Sequence, residues 1–528
     1  MMKKVNKVLI VGGGTAGWIT AAKLAKNLQA DSSDGVEVTL VESPDIPTIG
    51  VGEGTWPTMR KTLLELGINE GEFMAYCQAT FKQGTKFVNW KKEPGDKAAH
   101  TYYHMFSSIF DPSDFNLAPY WLAGIAGENT TFATAVSAQG NTCDLGCAPK
   151  KITDRPFDGV LSYAYHLDAG KFAEFLTQFA TEKLGVKLIK ANATQVHLTE
   201  NGDIKGISVD RNEQGERESS ENMVLEADLF VDCTGFRSLL LGESLNVSFK
   251  SVADTLLTDT AIAIQVPYES EDAPIPCQTN SIAQESGWIW DISLFNRRGT
   301  GHVFSSNHMH PDEAESVLRK HIGPVAKELE SRTIKMNIGY REKFWEKNCV
   351  AVGLSAAFVE PLEASAIFLI EAAGNMLVDM FPKTRDAMDY AAQRYNQSFL
   401  YRWEKTIEFI KLHYYLSQRE SKFWQDNKAD ETVPEVLRER VAHWRTHPVS
   451  KYEFDNVFEP FPHESYQYVI YGMGIHENGR FSRQHLSDQN KAMEYFKRVR
   501  QATELINKDL PQHRELLKKA YQYGFQTL

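Results

Sequence analysis

Lys7-Val-Leu-Ile-Val11 is a β-rich run that leads straight into Gly12-Gly13-Gly14-Thr15-Ala16-Gly17. Beyond the glycines, Ala21, Leu24, Ala25 and Leu28 fall on one face of a helix, and Val36 to Val41 reads as a second strand. Strand, glycine-rich turn and helix in this order make a βαβ unit built to hold a dinucleotide. Gly12 permits the tight turn, Gly14 admits a pyrophosphate, and Gly17 lets helix and strand pack closely; the helix start at Thr15 and Ala16 adds partial positive charge. Glu42 ends the second strand, where a carboxylate accepts hydrogen bonds from a ribose hydroxyl and disfavours a 2′-phosphate. Its offset, 42 − 12 = 30 residues, is longer than usual because of the polar loop Asp31 to Gly35. FAD and NAD both satisfy these features.

Composition narrows the partners. The 528 residues carry 57 Lys+Arg against 69 Asp+Glu, a net charge of −12, which argues against general binding of nucleic acid or an anionic membrane surface. The apolar run at the start is too short for a signal peptide or a membrane span. Ala364 to Phe381, the most apolar later stretch, is broken by Glu371, Asn375 and Asp379 and reads as a buried helix. Six scattered cysteines fit a reducing cytoplasm, the expected location. Cys143 and Cys147 lack a second Cys or His pair nearby, so no metal site is expected.

Further along, Ala227 to Gly235 and Cys349 to Gly353 are strand runs that end in glycine, and Val252 to Ser306 alternates like sheet. After about residue 380 the pattern turns helical, with Met388, Ala391, Tyr395 and Phe399 on one face and Phe496, Val499, Thr503 and Ile506 on another. Short linkers lie at Pro94-Gly95-Asp96 and Glu269 to Pro276. The expected fold is mixed α/β: an FAD-binding Rossmann-like module of the aromatic-hydroxylase type over 1–380, with an inserted substrate-side β-sheet. A mainly helical region, 381–528, covers the substrate. FAD is favoured over NAD because Ala227 to Gly235, with Asp232, resembles the second flavin-contacting strand of such enzymes and no second nucleotide fold for NAD(P)H is evident.

Four stretches together carry a closer resemblance: Gly12 to Trp18, Gly50 to Thr55 (GVGEGT), Gly287 to Leu294 (GWIWDISL) and Phe358 to Ile367 (FVEPLEASAI). With Phe81-Lys82, Lys86 to Trp90, Tyr165 to Asp168 and Phe423-Trp424, the chain resembles the flavin-dependent halogenases of the tryptophan halogenase family over most of its length, less so after about residue 430. The resemblance implies that reduced FAD and oxygen turn a halide, chloride or bromide, into hypohalous acid, which passes through the protein to an aromatic substrate in a separate pocket. A separate NAD(P)H-dependent flavin reductase would supply the reduced FAD; a homodimer is left open.

By the same resemblance Lys82 matches the lysine that hydrogen-bonds or covalently traps the hypohalous acid, and Glu363 the catalytic glutamate, a stabiliser or base for the arene. Glu360 is read as shaping the turn before Pro361. The amides of Ser365 and Ala366, at a helix start, would cradle the halide, although Ala364-Ser365-Ala366 stands where the family most often has Ser-Thr-Gly. Gly52, Val196, Leu354 and Ile367 join the glycine-turn residues and Glu42 in the FAD site. Trp288 and Trp290, two apart on a strand, form an aromatic wall between flavin and substrate; Ser293 replaces the family's proline there. His104 and Phe106 align with an aromatic sandwich for an indole ring, and Phe461 belongs to the substrate-side region Tyr452 to Gly474. There Pro460-Phe461-Pro462-His463-Glu464 departs from the tryptophan-specific pattern, so the expected substrate is an electron-rich, indole-like aromatic rather than free tryptophan; a phenol or a peptide- or carrier-borne aromatic stays open. Two alternatives remain: a flavin-dependent aromatic monooxygenase on the same scaffold, and a flavin-binding protein without turnover.

Overall fold

The computed structural model describes residues 4–46, 52–94, 100–110, 115–210, 223–475 and 486–525. Gly50 and Val51 of the GVGEGT motif and Gly95 and Asp96 of the first linker lie outside the described residues. In chain order the elements that frame the site begin with β1 (Lys7–Val11), α1 (Thr15–Asn27), β2 (Glu37–Glu42), β3 (Gly52–Gly54), β4 (Thr80–Lys82), β5 (Gly84–Val88), β6 (Thr101–Met105) and β7 (Ala164–Asp168). They continue with β8 (Leu229–Asp232), β9 (Thr260–Pro267), β10 (Thr279–Gln284), β11 (Gly287–Ser293), β12 (Arg297–Phe304), β13 (Cys349–Ala351), α2 (Ser365–Asp379), α3 (Arg385–Tyr415), α4 (His463–Met473) and α5 (His513–Tyr523).

β1 lies between β2 and β8, parallel to both, and β13 continues the parallel order beyond β8. Val8 to Val11, Val38, Leu40, Val41 and Leu229 to Val231 are all buried, the near-continuous apolar run that a parallel sheet covered on both faces requires. The chain leaves β1 for β2 on one side and later returns to β8 on the other, so a crevice opens at the carboxyl ends of these strands. Three glycine turns meet there, at Gly12, Gly235 and Gly353, each with positive φ.

A seven-stranded sheet supplies the opposite wall in the order Ser331–Lys335, β9, β12, β11, β10, β5, β6, where only β10 and β5 run parallel. The alternation seen in 252–306 is therefore real sheet. β3, β7 and β4 form a small antiparallel sheet that carries Gly52 and Lys82. α2 is buried as expected along Ile367, Leu369, Ile370, Ala373 and Leu377, and Met388, Ala391, Tyr395 and Phe399 form the buried face of α3. The later helices also reach back into the module: Lys4 bridges to Thr384, and Cys147 to Gln512. None of the described helices is long and apolar enough to cross a membrane.

Candidate active site

A cavity of about 670 Å³ occupies the crevice between the two large sheets, lined at one end by Gly12 to Ala16, Glu42, and the turns at Cys233 and Gly353. A Cβ on Gly12, whose φ is +116°, would overlap the Cys233 carbonyl, so the two turns touch only because this residue has no side chain. A Cβ on Gly13 would stand 2.5 Å from a Glu42 carboxylate oxygen, whereas one on Gly14 would meet nothing within 4 Å. The turn is thus closed toward Glu42 and open toward the cavity, as a pyrophosphate cradle must be. Glu42 lines this end and accepts a 3.3 Å hydrogen bond from Trp18 Nε1. These residues fit a bound dinucleotide.

Gly52, Thr15, Ala16, Leu354 and Ile367 also line the cavity. Two expected residues do not. A Cβ on Gly17 would overlap the Gly12 carbonyl, so Gly17 serves helix–strand packing, and Val196 lies on the strand Asn192–Leu198 while Ala191, Asn192 and Ala193 line the cavity in its place. Val196 is displaced because the chain bends from the parallel strand Lys187–Lys190 into a separate three-stranded antiparallel sheet. Asp232 is spent on folding: it accepts the amides of Thr234, Leu240 and Leu241 at 3.0, 2.9 and 2.8 Å and so shapes the turn after β8.

The far end of the cavity holds Lys82, Trp288, Trp290 and the start of α2. Trp288 and Trp290 both face it from β11, as their spacing requires, with ring centroids 6.4 Å apart and planes inclined at 62°. Glu360 does more than shape a turn. Its Oε2 accepts from Thr258 Oγ1, from Tyr414 OH at 2.9 Å and from Trp288 Nε1 at 3.3 Å, which anchors the indole wall. Burial pushes this carboxyl above its ordinary range despite those donors. Ala364, at φ +52°, turns the chain so that Ser365 and Ala366 start α2 at the cavity wall.

Lys82 ends β4 with 1% of its surface exposed. Its Nζ lies 3.0 Å from where a Cβ on Gly54 would be and 5.2 Å from the centroid of the Phe106 ring. Burial lowers the ammonium to about 8, and Glu363 counters this only in part. Glu363 is also buried but does not line the cavity, although its charge acts on Lys82, which does. Two histidines clamp it: His104 Nδ1 lies 2.9 Å from Oε2 and His413 Nε2 lies 2.8 Å from Oε1. Burial alone would raise Glu363, but His104 and then His413 outweigh it and hold the carboxyl at about 2.

The residues expected on the substrate side gather around this clamp. His104 Nε2 lies 2.9 Å from Ser465 Oγ, so both of its ring nitrogens are engaged. Phe461 is buried, stacked on Phe409 at 3.9 Å and edge-on to Trp56 at 4.9 Å, and Trp56 Nε1 donates to the Glu363 carbonyl. Sequence reasoning did not find His413 or Ser465, because neither lies in a motif and both stand on helices where a single polar residue per turn is ordinary. His513 of α5 was missed too: its Nε2 accepts the Phe81 amide at 3.1 Å, next to Lys82, from a position 432 residues away in sequence. Among the described residues no group of three or more His, Cys, Asp or Glu is placed to hold a metal.

Residues 7–487 match the tryptophan halogenase family. The chain is 34% identical to the 7-chloro-L-tryptophan 6-halogenase KtzR of Kutzneria sp. (strain 744), across 97% of this chain and 98% of that relative. It is 37% identical to the tryptophan 6-halogenase SttH of Streptomyces toxytricini, across 89% of each. The crystal structure of a tryptophan halogenase from Shewanella frigidimarina NCIMB 400 matches with a TM-score of 0.94 at 41% identity, covering 100% of this chain and 99% of that one.

Proposed function

The chain belongs to the tryptophan halogenase family, and from this we propose that it is a two-component FAD-dependent halogenase of an electron-rich, indole-like aromatic. Bound reduced FAD supplies, with oxygen, the oxidising power that makes hypohalous acid from chloride or bromide. Gly12, Gly14, Thr15, Ala16 and Glu42 hold the nucleotide in this reading, and the amides of Ser365 and Ala366 receive the halide at the positive end of α2. A separate NAD(P)H-dependent reductase provides the reduced cofactor.

The observation that carries the proposal is the place of Lys82, a buried ammonium that lines the flavin-side cavity and feels the charge of Glu363. A small oxidant leaving the cavity meets an N–H donor there and a carboxylate next. The Trp288 and Trp290 wall keeps organic substrate off the flavin side, which favours halogenation over direct oxygen transfer. His104 and Phe106 offer ring faces to the arene, with Phe461 packed into the wall behind. His463 and Glu464 already pair with each other at 3.0 Å, so neither is free for the charges of an α-amino acid, which supports an indole-like substrate other than free tryptophan.

The test is mass spectrometry of products from the purified protein with FAD, an unrelated flavin reductase, NADH, oxygen and chloride or bromide, across a panel of indoles, phenols and free tryptophan. A halogen isotope pattern that disappears in Lys82→Ala is expected. Oxygenated product with no halogen would replace this reading with the monooxygenase, and halogenation of free tryptophan above all others would overturn the substrate class.

A further inference from the structure

Cys143 and Cys147, close in sequence but without a metal-ligand pattern, gain a third thiol on folding. Cys143 stands in the last turn of the helix Gln139–Asp144, and its side chain hydrogen-bonds to that of Cys277, just before β10. Asp144 holds this helix against β5 and β6, accepting from Lys86 Nζ at 2.7 Å and from Tyr103 OH. Gln83, the residue after Lys82, ties the thiols to the far end of the cavity. Its amide donates to the Cys277 carbonyl at 2.7 Å, and its side-chain Nε2 donates to the Cys147 carbonyl at 2.9 Å. Thr279, two residues beyond Cys277, lines the cavity as Lys82 does.

These thiols are poorly suited to ordinary thiol chemistry. Cys143, Cys147 and Cys277 are 4%, 3% and 0% exposed. Burial, and then the hydrogen bond with Cys277, pushes the Cys143 thiol well above its ordinary range, and burial raises Cys147 as well. A thiol kept protonated and out of reach does not exchange with bulky disulfides in solution. A small neutral oxidant released inside the protein meets no such barrier, and sulfur, soft and polarisable, takes a halogen from it.

Resting on the halogenase reading above, we propose that Cys277 and Cys143 are a sacrificial pair, which captures hypohalous acid that misses Lys82 and becomes a disulfide. The Cys277 sulfur attacks the halogen: a sulfur–halogen bond forms, the oxygen–halogen bond breaks, and the oxygen leaves as water with the thiol proton. The Cys143 sulfur then attacks the Cys277 sulfur: the sulfur–sulfur bond forms, the halide leaves with the electron pair of the broken bond, and the Cys143 proton is released. Two thiols and one hypohalous acid become a disulfide, water, a halide ion and a proton; the thiols are oxidised and the halogen is reduced. Oxidant consumed in this way is kept from the indoles of Trp288 and Trp290 in the cavity wall.

Peptide mass spectrometry tests the pair in two settings. The reduced full chain without cofactor, titrated with hypobromous acid, should yield a cross-linked Cys143–Cys277 peptide while the buried Cys77 and Cys349 stay reduced, and a bulky aromatic disulfide should leave all four untouched. Oxidation of Cys77 and Cys349 to the same extent, no cross-link at any dose, or reaction of the pair with the bulky reagent would overturn the proposal, whatever the fate of the halogenase reading. In turnover with FAD, a flavin reductase, NADH, oxygen, bromide and catalase but no arene, the same cross-link should accumulate and should vanish when bromide is left out. Cys143→Ser should keep the initial rate of halogenation, form no cross-link and carry Cys277 as sulfinic or sulfonic acid instead. A cross-link that forms equally without bromide, or none from an enzyme that does make halogenated product, would overturn the proposal. Absence of halogenated product from wild type across the arene panel would refute the halogenase reading and not the titration with hypobromous acid.

Discussion

Lys82 and Glu363 show how far a residue's neighbours decide its chemistry. Bringing the lysine from its ordinary value of 10.5 to about 8 means that folding works against its charge. The unfolded chain binds the extra proton between those two values, so stability rises with pH across that window and the cost is complete below about 8. Lys82→Met should therefore melt higher at neutral pH, by up to about 3 kcal/mol, lose that pH dependence and halogenate nothing; matched thermal melts and product assays check it. The sequence singles out both residues because each stands in a motif. It does not show the clamp around Glu363, because His413 and Ser465 meet it only after α3 and α4 have packed.

The elements were easier to read than their fit. Alternation placed Trp288 and Trp290 on one face of a strand, and β11 presents them so. Nothing local announced that Trp290 pairs across the sheet with Gly301, where a Cβ would overlap the indole. A cross-strand partner is chosen by register, which a single sequence does not display. Gly301→Ala should push the ring out of line, with a loss of about 1–3 kcal/mol in stability and weaker FAD binding by about tenfold, about 1.4 kcal/mol. Melting curves and FAD fluorescence titration check it, and unchanged FAD affinity would show that the indole wall is not part of the nucleotide site.

Across the whole molecule, the parallel sheet and its glycine turn were fully legible at the N-terminus, while α5 was not, since the resemblance fades after about residue 430 and a lone histidine on a helix has no signature. His513 accepts the Phe81 amide through Nε2 and lies 2.9 Å from the Ile275 carbonyl through Nδ1, a neutral tautomer with its proton on Nδ1. Burial brings it from an ordinary 6.5 to about 4. Its contribution to stability is complete above 6.5 and is lost as pH falls toward 4, because the unfolded chain takes the proton first. His513→Gln should cost about 1–3 kcal/mol at pH 7 and flatten this acid limb, as melts across the pH range would show. The same contact sets a clock on biosynthesis. Phe81 and its partner are 432 residues apart in the chain, and at ordinary translation speeds the second arrives roughly 20 to 90 s after the first. The strand that bears Lys82 can therefore pair with β7 early in synthesis, while its contact with α5 forms only once nearly the whole chain has been made.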